Sequence, residues 1–264
     1  MDSSPKSTRK SEFLDSLQKG LLLGAALLAL LLPPNGLVRR PALPPAIPVA
    51  RPAPPHVAPP APLPQYTPPR LADFGGIVPT PDVRLVANWA VYTRDYKNRN
   101  FIIVDKKDAR IYVFDRAGRL QSVAPVLLGI AIGDDSVPGI GDKPLSRIPA
   151  EERTTPAGRF VAEIGMDLRH EDVVWVDYDA AVSMHRVLTT NPAEHRLERL
   201  ATPTNEDNRI SYGCINLPRA FYEDVVAPTV RTGGAIIYVL PETRSPQQQF
   251  GAYDVEARLK VAQP

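Results

Sequence analysis

Residues 33–70 contain fifteen prolines and very few polar side chains. No other stretch restricts the chain so severely. Proline fixes φ and has no backbone N–H, so neither a helix interior nor a sheet ladder can run through such a segment. It reads as an extended polyproline-type tether, about 3 Å per residue and on the order of 100 Å in all. Whatever folds must lie after it. Ahead of it, residues 20–32 form a charge-free run rich in leucine and alanine, preceded by Lys6, Arg9, Lys10 and Lys19. A basic segment before an apolar run is the pattern of an export signal. A spanning helix takes about 17–25 apolar residues, so the run alone is short for one. Pro33-Pro34 ends it, and no small-x-small cleavage site follows at the usual place. Two readings stand: a cleaved signal peptide, or an uncleaved anchor in the inner membrane. Either places the protein in the cell envelope or periplasm. A lipoprotein is excluded, because no cysteine follows the run to carry the lipid.

Charge divides at the same boundary. Residues 1–70 hold eight Lys/Arg against three Asp/Glu, net +5, and the remainder is net −3. The part able to fold has no basic stripe interleaved with aromatics, which argues against nucleic acid as a partner. Cys214 is the only cysteine. In an oxidising compartment paired cysteines become disulfides, so a single one is either a liability or a thiol in use.

The folded part alternates strand patterns with turns. Thr80-Pro81-Asp82 reads as a helix start, and Val83, Val86, Trp89 and Ala90 give it one apolar face to about Tyr92. Residues 101–105, 110–115 and 120–130 read as strands of a meander, with turns at Lys106-Lys107-Asp108 and Ala117-Gly118. A long loop follows over 133–155. Its charges, among them Asp134, Asp135, Lys143 and Arg153, read as solvated surface, with a role in substrate access as the other possibility; their spacing fits no calcium loop. Residues 159–166, 173–178, 181–187 and 235–240 read as further strands. Residues 193–200 give a short helix, and 218–226 a longer one. The fold class is mainly β: a sandwich or barrel-like domain with peripheral helices.

Cys214 sits in Ser211-Tyr212-Gly213-Cys214-Ile215-Asn216, after a glycine and just ahead of the helix expected from Pro218. A thiol needs a neighbouring His⁺ or a helix N-terminus to ionise at neutral pH. Of four histidines, His56 lies in the tether, His170 in a charged turn and His195 in a polar connection. His185 ends a strand and is the candidate base. Backbone N–H groups at Gly213 and Cys214 suit an oxyanion hole, and the Asn216 amide suits an orienting role. One cysteine and scattered histidines make no zinc set, and no metal or other cofactor is expected.

Thr155-Pro156-x-Gly158-x-Phe160, the strand histidine His185 and Ser211-x-Gly213-Cys214-x-Asn216, in this order, resemble the L,D-transpeptidase catalytic domain, the YkuD-like family. The likeness covers residues 100–241, including the opening hairpin. It implies a β-sandwich of mixed sheets and a peptidoglycan L,D-transpeptidase. Cys214 would attack a stem-peptide carbonyl at an L-centre preceding a D-residue, releasing D-alanine. His185 would be general base and then acid. An amine of a second stem, or a protein lysine, would resolve the thioester. Ser211, Gly213, Asn216 and Tyr212 would support the site, and Arg186 and Arg209 would be candidates for substrate binding, Arg186 for a carboxylate or else merely solvated. Peptidoglycan stem peptides would be the partner, with the inner membrane if the N-terminal segment is retained. Two features depart from the family pattern. Tyr212 stands where histidine is usual, and 25 residues separate His185 from Ser211, a longer connection that suggests a lid. Water as acceptor would make the chain an L,D-carboxypeptidase or endopeptidase, and a fold kept without catalysis would make it a peptidoglycan-binding module.

The expected organisation is an n-region with signal or anchor at 1–32 and a linker at 33–74. A helix packed on the domain at 75–99, the catalytic domain at 100–241 and a polar tail at 242–264 follow.

Overall fold

The computed structural model describes residues 70–261. The apolar run at 20–32 and the proline-rich stretch before residue 70 lie outside the described residues. Among those described, no helix is long and apolar enough to cross a membrane.

Helix α1 (Pro81–Thr93) begins as its sequence dictates: the Thr80 hydroxyl accepts from the Val83 N–H at 3.3 Å, with proline in the first turn. Ten strands follow: β1 (Asn100–Asp105), β2 (Arg110–Phe114), β3 (Leu120–Pro125), β4 (Leu128–Gly129), β5 (Gly158–Met166), β6 (Asp172–Asp177), β7 (Val182–Arg186), β8 (Arg209–Ser211), β9 (Ile215–Leu217) and β10 (Ala235–Val239). Helix α2 (Arg196–Ala201) lies between β7 and β8. Between β9 and β10 runs α3, which starts at Arg219–Phe221, passes a π-helical turn at Tyr222–Val226 and finishes as Ala227–Gly233.

The main sheet has the order β3-β2-β1-β10-β5-β6-β7-β9, and β4 pairs with β8 in a small parallel ribbon. Strand β5 joins two halves. Its first five residues pair with β10, and Glu163–Met166 pair with β6. Inward residues of both halves form one core: Ile102, Ile111 and Val113 from the first meet Val174, Met184, Ile215 and Leu217 from the second. The result is a mainly β, mixed, nearly closed sheet folded on itself. Leu127 and Asn216 exchange backbone hydrogen bonds at 3.0 and 2.9 Å, linking the chain beyond β3 to β9.

The outer face of β1, β2 and β10 carries a second core. Phe101, Ile103, Phe114 and Tyr238 pack there against Val83, Val86, Trp89 and Ala90 of α1. Burial on both faces explains why these strands read as continuous apolar runs rather than alternating ones.

Three stretches differ from the sequence reading. The strand expected over 120–130 ends at Pro125, which has no N–H for the ladder. The chain is then drawn sideways by Asn208, whose Nδ2 donates to the Val126 carbonyl and whose own carbonyl accepts from the Leu128 N–H. The 133–155 loop is organised by three single 3-10 turns, and its Asp134 is buried rather than solvated. The segment after β10 forms α4 (Pro246–Phe250) and α5 (Val255–Val261), and Ala252 and Val255 join the second core.

Candidate active site

Strands β7 and β9 run parallel, with Met184 beside Ile215 and His185 beside Asn216. Met184 and Ile215 point into the core. Side chains alternate along a strand, so Ser183, His185, Cys214 and Asn216 share the opposite face. Cys214 directly precedes β9 rather than a helix; α3 starts only at Arg219. Activation of the thiol therefore falls to side chains on the sheet.

The Cys214 thiol and the His185 imidazole meet on this face and shift one another. Burial pushes the Cys214 thiol up. The hydrogen bond and charge of His185, together with the Ser183 N–H and hydroxyl, outweigh this and bring it below its ordinary value. Burial works against protonating His185, but the Cys214 thiolate outweighs that and raises the imidazole. Both shifts run toward thiolate and imidazolium. His185 Nδ1 lies 2.7 Å from the Arg186 carbonyl, which can only accept, so Nδ1 carries a hydrogen. That leaves Nε2 to exchange a proton with sulfur or substrate. The Ser183 hydroxyl is 3.8 Å from Sγ, and the Ala181 carbonyl 3.7 Å. Ser183 escaped sequence analysis, since serine in a strand carries no signal; only its place beside Cys214 gives it one.

The turn that presents Cys214 is fixed from several sides. Gly213 has φ +130°, and a Cβ there would fall 2.8 Å from the Thr154 carbonyl oxygen, so only glycine fits. The Ser211 hydroxyl donates to the Cys214 carbonyl at 2.6 Å and accepts from the Gly213 N–H at 3.1 Å. Gly213's N–H is therefore spent inside the turn, contrary to the oxyanion role expected for it. Among the described residues, the N–H groups of Tyr212 and Cys214 have no acceptor bonded to them. Thr155, fully buried, donates to the Gly213 carbonyl at 2.8 Å and accepts from the Gly129 N–H at 2.8 Å. The Thr-Pro-x-Gly-x-Phe segment thus supports the nucleophile turn directly. Asn216 is buried, and its Nδ2 donates to the Cys214 carbonyl at 3.3 Å.

Behind Thr155 lies a buried ionic network. The Lys106 ammonium, with no exposed side-chain surface, donates to the carbonyls of Gly133 and Thr155 and to Asp134 Oδ1, and is 3.4 Å from Glu242. Burial pushes the Asp134 carboxyl up, but the Thr243 hydroxyl, the backbone N–H groups of Glu242 and Thr243 and the Lys106 ammonium hold it far below the usual carboxylate range. Lys106 had read as an ordinary turn residue.

Arg186 and Arg209, the candidates for substrate binding, are both held in ion pairs. Arg186 pairs with Glu223 at 2.7 Å and Asp172 at 2.9 Å and lies over the Tyr222 ring. Arg209 pairs with Glu242 and donates to the carbonyls of Lys106, Gly129 and Ala131. Tyr212, 37% exposed, has the Arg153 guanidinium over its ring at 3.8 Å, so the 133–155 loop reaches the nucleophile turn. His195 is exposed beside Glu198, and His170 sits in an exposed turn. Two surface concavities, around Pro79, Arg84 and Glu256 and around Asn100, Ser122 and Thr229, are lined by none of the site residues.

The pairing has a measurable consequence. Thiolate is the reacting form, so alkylation slows as pH falls through the lowered thiol value. Cys214 should react with iodoacetamide with a midpoint below the ordinary thiol value of about 8.5. A midpoint at or above that of free cysteine contradicts the pairing.

The fold and site define a β-sandwich with a thiol–imidazole pair on one sheet face. Comparison with protein-family models and with curated proteins returns no match. Among the solved structures that the chain resembles are several L,D-transpeptidases and a cell shape determining protein. The catalytic domain of an Enterococcus faecium L,D-transpeptidase is 14% identical over 54% of this chain and 98% of that one, with a TM-score of 0.32. An L,D-transpeptidase from Mycobacterium smegmatis is 19% identical over 53% and 58%, with a TM-score of 0.31. The helical cell shape determining protein Pgp2 from Campylobacter jejuni is 15% identical over 56% and 50%, with a TM-score of 0.35. This chain spans about half the length of the last two.

Proposed function

We propose that this chain is an envelope L,D-transpeptidase acting on peptidoglycan stem peptides. The observation that carries the reading is the placement of Cys214 and His185 on one face of the β7–β9 pair, behind a glycine whose conformation and surroundings admit no side chain.

In this reading the Cys214 thiolate adds to the carbonyl preceding the D-residue. The N–H groups of Cys214 and Tyr212 receive the oxyanion. The imidazolium gives its Nε2 proton to the departing D-alanine amine as the C–N bond breaks, leaving a thioester. Neutral His185 then takes a proton from the incoming amine, which attacks the thioester and frees the thiolate. Ser211, Asn216 and Thr155 hold the nucleophile turn, and Ser183 lies beside the sulfur. The segment before residue 70 would export or anchor the chain and act as its linker.

Product analysis separates the acceptors. Stem tetrapeptide with and without an added amine acceptor should yield free D-alanine and, with the acceptor, a new amide. Hydrolysed tripeptide as the sole product would instead make the chain a carboxypeptidase. A Cys214 no more reactive than free cysteine, with no D-alanine released, would leave a binding module.

A further inference from the structure

The connection between His185 and Ser211 is built as a brace rather than an open lid. Leu200 is buried against Leu127 and Val187. Arg199 donates to the carbonyls of Glu194 and Asp207 at 2.8 and 2.5 Å, and the Thr202 hydroxyl donates to Asp207 Oδ1 at 3.0 Å. From α2, Arg196 reaches down to β9. Its Nε donates to Glu194 Oε2, and its Nη1 donates to Asn216 Oδ1 at 2.6 Å. The Arg196 side chain is only 10% exposed.

That contact decides how Asn216 acts. The oxygen and NH2 ends of an amide are nearly equal in shape, so a neighbour's chemistry fixes which end points where. A guanidinium can only donate. It therefore draws Oδ1 to itself and turns Nδ2 onto the Cys214 carbonyl, where the Ser211 hydroxyl also donates. An amide flipped the other way would set oxygen against oxygen at Cys214.

We propose that Arg196 is a positioning residue. Supplied by the connection between β7 and β8, it sets the Asn216 amide and through it the orientation of the nucleophile turn, whose unbonded N–H groups are to meet an oxyanion. This rests on the acyl-transfer reading above, and two probes keep the two claims apart. p-Nitrophenyl acetate acetylates a thiol through a tetrahedral oxyanion, with p-nitrophenolate leaving. Iodoacetamide alkylates it by displacement of iodide, with no oxyanion.

In the full-length protein, R196M should acetylate about tenfold more slowly than wild type while alkylating within about twofold of it. R196K retains a donor and should recover most of the rate. N216A should show the same split, and adding R196M to N216A should cost little more, the signature of two residues acting through one contact. Should R196M fail to fold, R196K against N216A carries the test, with a near-normal rate expected in the first and the loss in the second. Unchanged acetylation in R196M, equal loss with both probes, or equal rates in R196K and N216A would overturn the proposal. A wild-type protein that alkylates but never acetylates would overturn the acyl-transfer reading, and the role of Arg196 with it.

Discussion

Replacing His185 with alanine is expected to slow acylation of Cys214 by about 10²–10⁴-fold, the usual contribution of a positioned general acid–base. Two effects add. The thiol loses the partner that brings its pKa down, so at pH 6–7 the thiolate fraction falls. The leaving amine loses the only imidazole that the described residues place on that sheet face. The first effect can be reversed and the second cannot. Raising the pH restores thiolate and should recover iodoacetamide reactivity in His185→Ala, but not acylation by a stem peptide. His185 is half-buried at a strand end, its Nδ1 bonded only to the Arg186 carbonyl, so the fold should survive. His195→Ala, an exposed site beside Glu198, should leave both rates within about twofold of wild type. Comparable losses at the two histidines would place the base elsewhere.

The second large effect is on stability. Lys106→Met is expected to destabilise the protein by about 3–5 kcal/mol, read as a fall in the midpoint of thermal or urea unfolding. Methionine occupies a similar volume, so the cost is not mainly a cavity. It comes from leaving the Gly133 and Thr155 carbonyls without their donor and two buried carboxylates, Asp134 and Glu242, without the cation between them. Thr155 also carries the loss toward the nucleophile, because its hydroxyl holds the Gly213 carbonyl. Slower acylation should therefore accompany the lower midpoint. The network also sets an acid limit. Asp134 is held below its unfolded value, so its contribution is complete at neutral pH and is lost as pH falls below about 4. A Lys106→Met variant as stable as wild type would mean that Arg209 on Glu242, and Thr243 with Arg244, whose N–H donates to Asp134 at 3.0 Å, satisfy the carboxylates alone.

Local patterns and distant contacts were not equally readable. α1 was announced by Thr80-Pro81 and an apolar face, and β1, β2 and β10 by β-branched runs. Cys214 stood out because it has no second cysteine to pair with, and His185 because it ended a strand in the same sheet. Lys106, Asp134 and Glu242 gave no such sign. They converge from positions 28 to 136 residues apart, and a lysine in a turn or an aspartate in a loop looks solvated until its neighbours are known. The ion pairs of Arg186 and Arg209 gave no sign either: an arginine near a nucleophile looks unpartnered until Glu223, Asp172 and Glu242 are seen beside it. Arg196 and Asn216 are twenty residues apart, and nothing in their spacing pairs them. The helices after residue 242 are a different case. Ser245 and Gln248 form a capping box that was present in the sequence. It was masked by a polar stretch whose few apolar residues, Phe250, Ala252 and Val255, are the ones that dock on α1 and β10.

Tyr212 now has a physical setting. Where the family pattern has histidine, this chain places a ring that Arg153 covers from the 133–155 loop. A neutral aromatic there leaves His185 as the only imidazole described beside the thiol.

Intact mass of the purified protein after incubation with a stem tetrapeptide meets the central claim most directly. The expected result is a covalent adduct equal to the peptide less its terminal D-alanine, mapped to Cys214 and missing from Cys214→Ser. A folded protein whose thiol alkylates readily but that forms no adduct, or forms one away from Cys214, would contradict it.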